Sequence, residues 1–172
     1  MTPGTLDVEN ADHELTVRVV GGGVYVLPLG PLTLQAGPLR DGDPPGPSAL
    51  TNALGLVEDH LDDLVIELPS IEATPGVVVA GPYADAMARV EVGTVDVPSG
   101  YVLQRVDADE VFRTLAVESV EERRHNPGLP ADHVESIIAT CCVILGIMRR
   151  FDLSAAAIAE RANLHDDDET TG

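Results

Sequence analysis

The chain has 172 residues, of which 44% are hydrophobic and only 3% aromatic, and it contains no Trp. That length suits one domain whose core is built from Val, Leu, Ile and Ala rather than two domains. Ten Arg, no Lys and 29 acidic residues give a formal net charge of −19, a field that disfavours nucleic acid, anionic membranes and long polyphosphate as partners. The same excess of carboxylates also serves solubility.

In chain order, Thr5 to Val8 reads as a short strand with Asp7 at its end, running into a loop Glu9-Asn10-Ala11-Asp12. Glu14 to Val20 alternates polar and apolar residues, the pattern of a half-buried strand. Gly21-Gly22-Gly23 then turns the chain into a second strand over Val24 to Leu29, which predicts a hairpin. Pro28 fits an edge or a strand end, since it cannot donate to a ladder. A Pro/Gly loop over 37–47 precedes a predicted helix from Ser48 to Leu64, where Leu50, Ala53, Leu54, Val57, Leu61 and Leu64 recur at helical spacing. Val77 to Ala80 is wholly apolar and bounded by Pro75-Gly76 and Gly81-Pro82, as a buried central strand should be.

Residues 84–91 read as a short helix and Asp107 to Ala116 as a longer one, with Ala108, Val111, Phe112 and Leu115 on one face. Ser119-Val120-Glu121-Glu122 has the spacing of a capping box and predicts another short helix, which Asn126-Pro127-Gly128 ends. Ala131 to Arg150 is predicted as the most apolar helix, with Val134, Ile137, Ile138, Cys141, Ile144, Leu145 and Met148 inward. Arg149 and Arg150 stand in its last turn, where the helix dipole favours cations. Ala155 to Ala159 reads as a last strand, and residues 165–172 as an acidic, disordered tail. The order predicts an α/β domain with a mixed sheet flanked by helices, over residues 1–164.

Cys141 and Cys142 are adjacent, so on a helix they diverge, and they read as small buried thiols of a reducing compartment. The start has neither a basic region nor an apolar run, and the longest uncharged apolar stretch, Ser136 to Met148, is too short to span a bilayer. A cytoplasmic protein is expected. Asp12-His13-Glu14 has metal-binding residue types, but neighbours on a strand face opposite ways, so a solvated turn is the expectation. His165 with Asp166, Asp167 and Asp168 reads as a solvated tail. His60 and His133 lie on predicted helices, where each is expected to be a surface or half-buried histidine.

Several segments in this order resemble one family, the Ppx/GppA exopolyphosphatases and guanosine pentaphosphate phosphohydrolases. Glu121-Glu122-Arg123-Arg124 resembles the family's EERR helix end, and Pro127-Gly128-Leu129 its PGL turn. His133-Val134-Glu135 stands where the family has Arg-Ala-Asp, a departure. Residues 24–45 resemble the family's hairpin strand, its L-x-x-G-x-x-x-L segment and its D-P-P loop. Residues 77–93 resemble its second phosphate loop, and Asp7 to Glu14 its first, D-x-G-G-G-S-x-E. The resemblance covers about residues 5–164, and the order of five segments carries it.

This resemblance implies the second half of a pair of ribonuclease-H-like, actin-like domains, with the active site between the halves. The family's general base lies in the first half, so no catalytic residue is expected here. The family chemistry is attack of water on a terminal phosphoryl group, which needs backbone N–H donors and a divalent cation. Asp7 and Glu14 match the family's acidic pair and are the candidate Mg²⁺ ligands. Gly81 is retained in the second loop and is the candidate phosphate-binding residue. The first loop's glycines are replaced by Glu9, Asn10 and Ala11 and its Ser by Asp12, while Pro82 replaces a donor and Ala84 and Asp85 replace hydroxyls. Two unit charges about 4 Å apart interact by about 4 kcal/mol at an effective dielectric of 20, so Glu9 and Asp12 would oppose a phosphate. The expectation is a non-catalytic binding, regulatory or assembly module with a homodimer or protein partner. The alternative is a phosphoanhydride hydrolase for polyphosphate or guanosine pentaphosphate, completed by another chain.

Overall fold

In the computed structural model, which describes residues 4–159, six strands form one mixed sheet in the order β3-β2-β1-β4-β6-β5. β1 (Leu6–Asn10), β2 (Leu15–Val19) and β3 (Val24–Leu27) make an antiparallel meander. The glycine turn between β2 and β3 is tight: Gly22 N–H donates to Val19 O at 2.7 Å, and Gly21 has φ +83°. β4 (Val77–Ala80) then joins β1 in parallel, β6 (Ala155–Ala159) joins β4 in parallel, and β5 (Val102–Gln104) closes the far edge antiparallel to β6. Period-two alternation sorts the faces. Leu6, Val8, Leu15, Val17, Val77, Val79, Ala156 and Ile158 are buried, whereas Val24, Val26 and Val102 on the opposite face are exposed.

The buried face belongs to the helical layer, made of α1 (Pro31–Ala36), α2 (Pro47–Glu67), α3 (Pro82–Val92), α4 (Arg105–Ala116), α5 (Val120–Arg123) and α6 (Ile137–Arg150). α6 is its centre: every residue from Ile137 to Met148 is buried, and α1, α2, α3 and α4 all pack on it. A helix apolar on all sides must lie inside. Its approach to α2 needs a glycine, because a Cβ at Gly146 would stand 2.4 Å from Val57 Cγ1. Cys141 and Cys142 are buried free thiols here, as the sequence predicts. Burial pushes the Cys142 thiol up to about 12 and the Cys141 thiol higher still. Ser119 and Glu122 form both bonds of the predicted capping box.

Three expectations are corrected. The first strand continues to Asn10, so Asp7 lies inside β1, paired in register with Arg18, and not at a strand end. The long helix begins at Ile137 rather than Ala131, after a single 3-10 turn at Ala131–His133. Arg123 is the reason: it is 3% exposed, and its Nε donates to Val134 O at 3.1 Å, taking a carbonyl that a longer helix would use. Its Nη1 donates to Glu118 O at 3.0 Å. Arg123 is therefore a brace between α5 and α6, and burial lowers its pKa despite nearby carboxylates. Finally, α1 and β5 were not foreseen. The tail at 165–172, His165 included, lies outside the described residues.

Candidate functional site

β1 and β4 run side by side, with Glu9 level with Ala80, so their carboxyl ends open into two adjacent connections. Parallel α/β sheets place their ligand sites at such ends. The first connection is the turn from Ala11 to Glu14, closed by Ala11 N–H donating to Glu14 O at 3.0 Å. The second is Gly81, which leads into α3 with φ +110°. A side chain at Gly81 would be strained by that φ, and its Cβ would stand 3.0 Å from Asn10 O. Between the two connections lies a cleft of about 410 Å³.

The first turn is clamped from a third direction. Gly30 packs so closely that a Cβ there would stand 2.3 Å from Asp12 O. Leu32 N–H donates to the same Asp12 carbonyl at 2.9 Å, at the start of α1. Thr33 Oγ1 bonds to His13 through both ring and carbonyl, at 3.3 Å and 3.4 Å. Tyr83, in the first turn of α3, donates its hydroxyl to Asp12 Oδ1 at 2.5 Å. Burial and the Asp12 carboxylate hold the Tyr83 phenol above its usual range, which keeps it a donor. His133 meets the Tyr83 ring edge-on, with centroids 5.1 Å apart.

The walls are acidic. Glu9, Asp12 and Glu14 line the cleft, and among the described residues neither Arg nor Lys does. Arg18 approaches Glu9 from β2 at 3.9 Å. The amino end of α3 would ordinarily attract an anion. Here Pro82 has no N–H to offer, and Asp85 stands in that first turn, its carboxylate 2.8 Å from Arg89 Nε. Asn10 lines the cleft with 0% exposure, and neither its amide oxygen nor its amide nitrogen has a hydrogen-bond partner.

Of the predicted site residues, Gly81 borders the cleft through its contact with Asn10, and Glu14 lines it. Asp7 lies three residues back in β1 and is not among the lining residues. The cleft does not bring Asp7 and Glu14 together as its walls. Among the described residues, no group of three or more His, Cys, Asp or Glu side chains is placed to hold a metal ion. His60 lies on α2, half-buried, away from the cleft. Sequence reasoning missed Tyr83, Gly30 and Thr33. Tyr83 and Asp12 are 71 positions apart, and only the β1–β4 pairing brings them together.

A three-strand meander extended by parallel strands, with the cleft at the ends of β1 and β4, defines an actin-like, ribonuclease-H-like half-domain. More particularly, this is the fold of Ppx/GppA proteins, carried over about half their length. An exopolyphosphatase-like protein superposes with a TM-score of 0.79 at 16% identity, covering 93% of this chain and 56% of its own. The Aquifex aeolicus Ppx/GppA family member gives 0.78 at 16% identity, covering 91% and 52%. An exopolyphosphatase from Cytophaga hutchinsonii gives 0.76 at 11% identity, covering 91% and 53%. No protein-family model and no curated protein matches the chain. Among the described residues, no helix is long and apolar enough to cross a membrane.

Proposed function

We propose that this chain is a Ppx/GppA-type domain that does not hydrolyse phosphoanhydrides by itself and serves as a binding, regulatory or assembly module. One observation carries the reading. The cleft where such a fold would hold phosphate is walled by Glu9, Asp12 and Glu14, with no Arg or Lys among the described residues that line it. A polyanion entering there meets carboxylates in a partly desolvated site, where like charges repel more strongly than in water. The partner proposed to cover the cleft is a second copy of the chain or another protein.

A second reading has one observation in its favour. Asn10 is buried in the cleft with an unsatisfied amide, and Glu14 lines the same cleft. A partner chain supplying the general base and further metal ligands to Asp7 and Glu14 would make a Mg²⁺-dependent hydrolase of polyphosphate or guanosine pentaphosphate. The test is phosphate release from both substrates with Mg²⁺, by the purified protein beside an Asp7→Ala/Glu14→Ala variant. Release no greater than the variant's is expected. Turnover that disappears in the variant would overturn the non-catalytic reading.

A further inference from the structure

Among the described residues, the β3 strand is an outer edge of the sheet. Val19 N–H donates to Gly23 O at 3.0 Å, at the base of the hairpin. Antiparallel bonding alternates, so Tyr25 and Leu27 turn their backbone groups toward β2. Val24 and Val26 therefore turn theirs outward, where no further strand lies among the described residues. Their side chains are 60% and 57% exposed on the open sheet face. Natural sheets usually blunt such an edge with lysine, an inward charge or a covering element. Here the strand itself is Val-Tyr-Val-Leu, and only Pro28 ends it.

Beside this edge runs a groove of about 460 Å³ between β3 and α2. Its floor is apolar, with Tyr25, Leu27 and Leu64, and α2 adds Asp63, Glu67 and His60 to its wall. Among the described residues, neither Arg nor Lys lines it. Asp63 and Glu67 are one helical turn apart and both exposed. An added strand would place alternate side chains on the two faces. Those on the open face would stack on Val24 and Val26. Those on the groove face would lay aliphatic stems on Tyr25 and Leu64 and reach Asp63 and Glu67 with a positive head.

We propose that the β3 edge is a docking site for an extended segment of a partner protein in which apolar residues alternate with Arg or Lys. The segment adds a seventh strand to the sheet. A second copy of this chain is a poorer occupant, because edge-to-edge pairing would bring together two acidic grooves on chains that each carry −19. This site is separate from the β1–β4 cleft, and it does not depend on whether that cleft is catalytic.

The probe is a labelled, end-blocked hexapeptide alternating Val and Arg, titrated in 150 mM salt and read by fluorescence anisotropy and by amide hydrogen exchange. Saturable binding with slowed exchange at Val24 and Val26 is expected. Methylating every second peptide nitrogen should weaken binding at least tenfold, since it removes the ladder bonds and keeps the charge. Asp63→Lys/Glu67→Lys, at exposed helix positions, should weaken it at least tenfold without unfolding the protein, and Val26→Pro should do the same at the edge. Equal affinity for the methylated peptide would reduce the interaction to bulk charge and overturn the proposal. So would unchanged affinity in the Asp63/Glu67 variant. Self-association that Val26→Pro abolishes, with no peptide binding, would overturn it in favour of a second copy.

Discussion

Arg123 offers a direct way to measure how much of this fold rests on one buried cation. Its side chain satisfies two carbonyls, Val134 O at 3.1 Å and Glu118 O at 3.0 Å, from a position only 3% exposed. Arg123→Met keeps much of the aliphatic stem and removes both donors. A buried carbonyl left without a partner costs about 1–3 kcal/mol, so the pair costs roughly 2–6 kcal/mol, toward the lower end because the Glu118 bond is only part-buried. Part is recovered if Val134 O picks up an N–H by extending α6 backward, and part because Arg123 no longer has to be desolvated. A net loss of about 3 kcal/mol is expected, which at an m-value of about 2 kcal/mol/M lowers the urea midpoint by roughly 1.5 M. Arg123→Lys should recover less than half, because an ammonium is a point donor and cannot span two carbonyls as a guanidinium fork does. Urea unfolding followed by far-UV circular dichroism reads both variants. A loss below 1 kcal/mol for Arg123→Met, or full recovery by Lys, would refute the bracing role and with it the explanation for where α6 begins.

Gly30→Ala would drive a Cβ to 2.3 Å from Asp12 O and 2.5 Å from Ala11 O. The overpacking should cost about 1–3 kcal/mol and push the turn off Tyr83. Spectrophotometric titration should then show the Tyr83 phenol returning toward its ordinary range, and an unmoved titration would mean that the turn is not clamped as described. Stability should also fall on the alkaline side. The Cys142 thiol is raised from 9.0 to about 12 and Cys141 is raised further, so the unfolded chain loses these protons first. The stabilisation is complete below pH 9 and declines above it by about 1.4 kcal/mol per pH unit for each thiol. Urea midpoints at pH 8 and pH 9.8 measure this, and Cys142→Ala should flatten the slope.

The sequence alone revealed elements whose pattern is local. Val77–Ala80 and Ala155–Ala159 were legible as strands because each is a short small-residue or apolar run between turn signals. The Ser119 box was legible because its chemistry lies within four residues. α2 was legible from apolar spacing, and only its ends moved, to Pro47 and Glu67. What escaped was decided by contacts far along the chain. β5 has three residues and exists as a strand because Val102, Leu103 and Gln104 pair with β6. α1 follows a glycine whose place is set by the Asp12 carbonyl. The start of α6 is fixed by Arg123, fourteen positions upstream of Ile137. The position of Asp7 was misjudged for a related reason. Glu9 and Asn10 are poor strand formers in isolation, but pairing with β2 on one side, and for Glu9 with β4 on the other, keeps them extended.

The cleft itself separates two things that a phosphate loop normally combines. One is backbone shape: Gly81 holds φ +110° against Asn10 O, and Gly30 lets α1 close on the Asp12 carbonyl. The other is the chemistry displayed on that shape, which here is carboxylate, proline and phenol. The backbone shape does not depend on a bound ligand. Both glycines instead meet protein backbone, and Tyr83 and Thr33 tie the same turn with side-chain bonds. The turn is thus held by packing internal to this chain. A clamped, acidic turn holds Asp12 and Glu14 in one arrangement at the wall of the cleft.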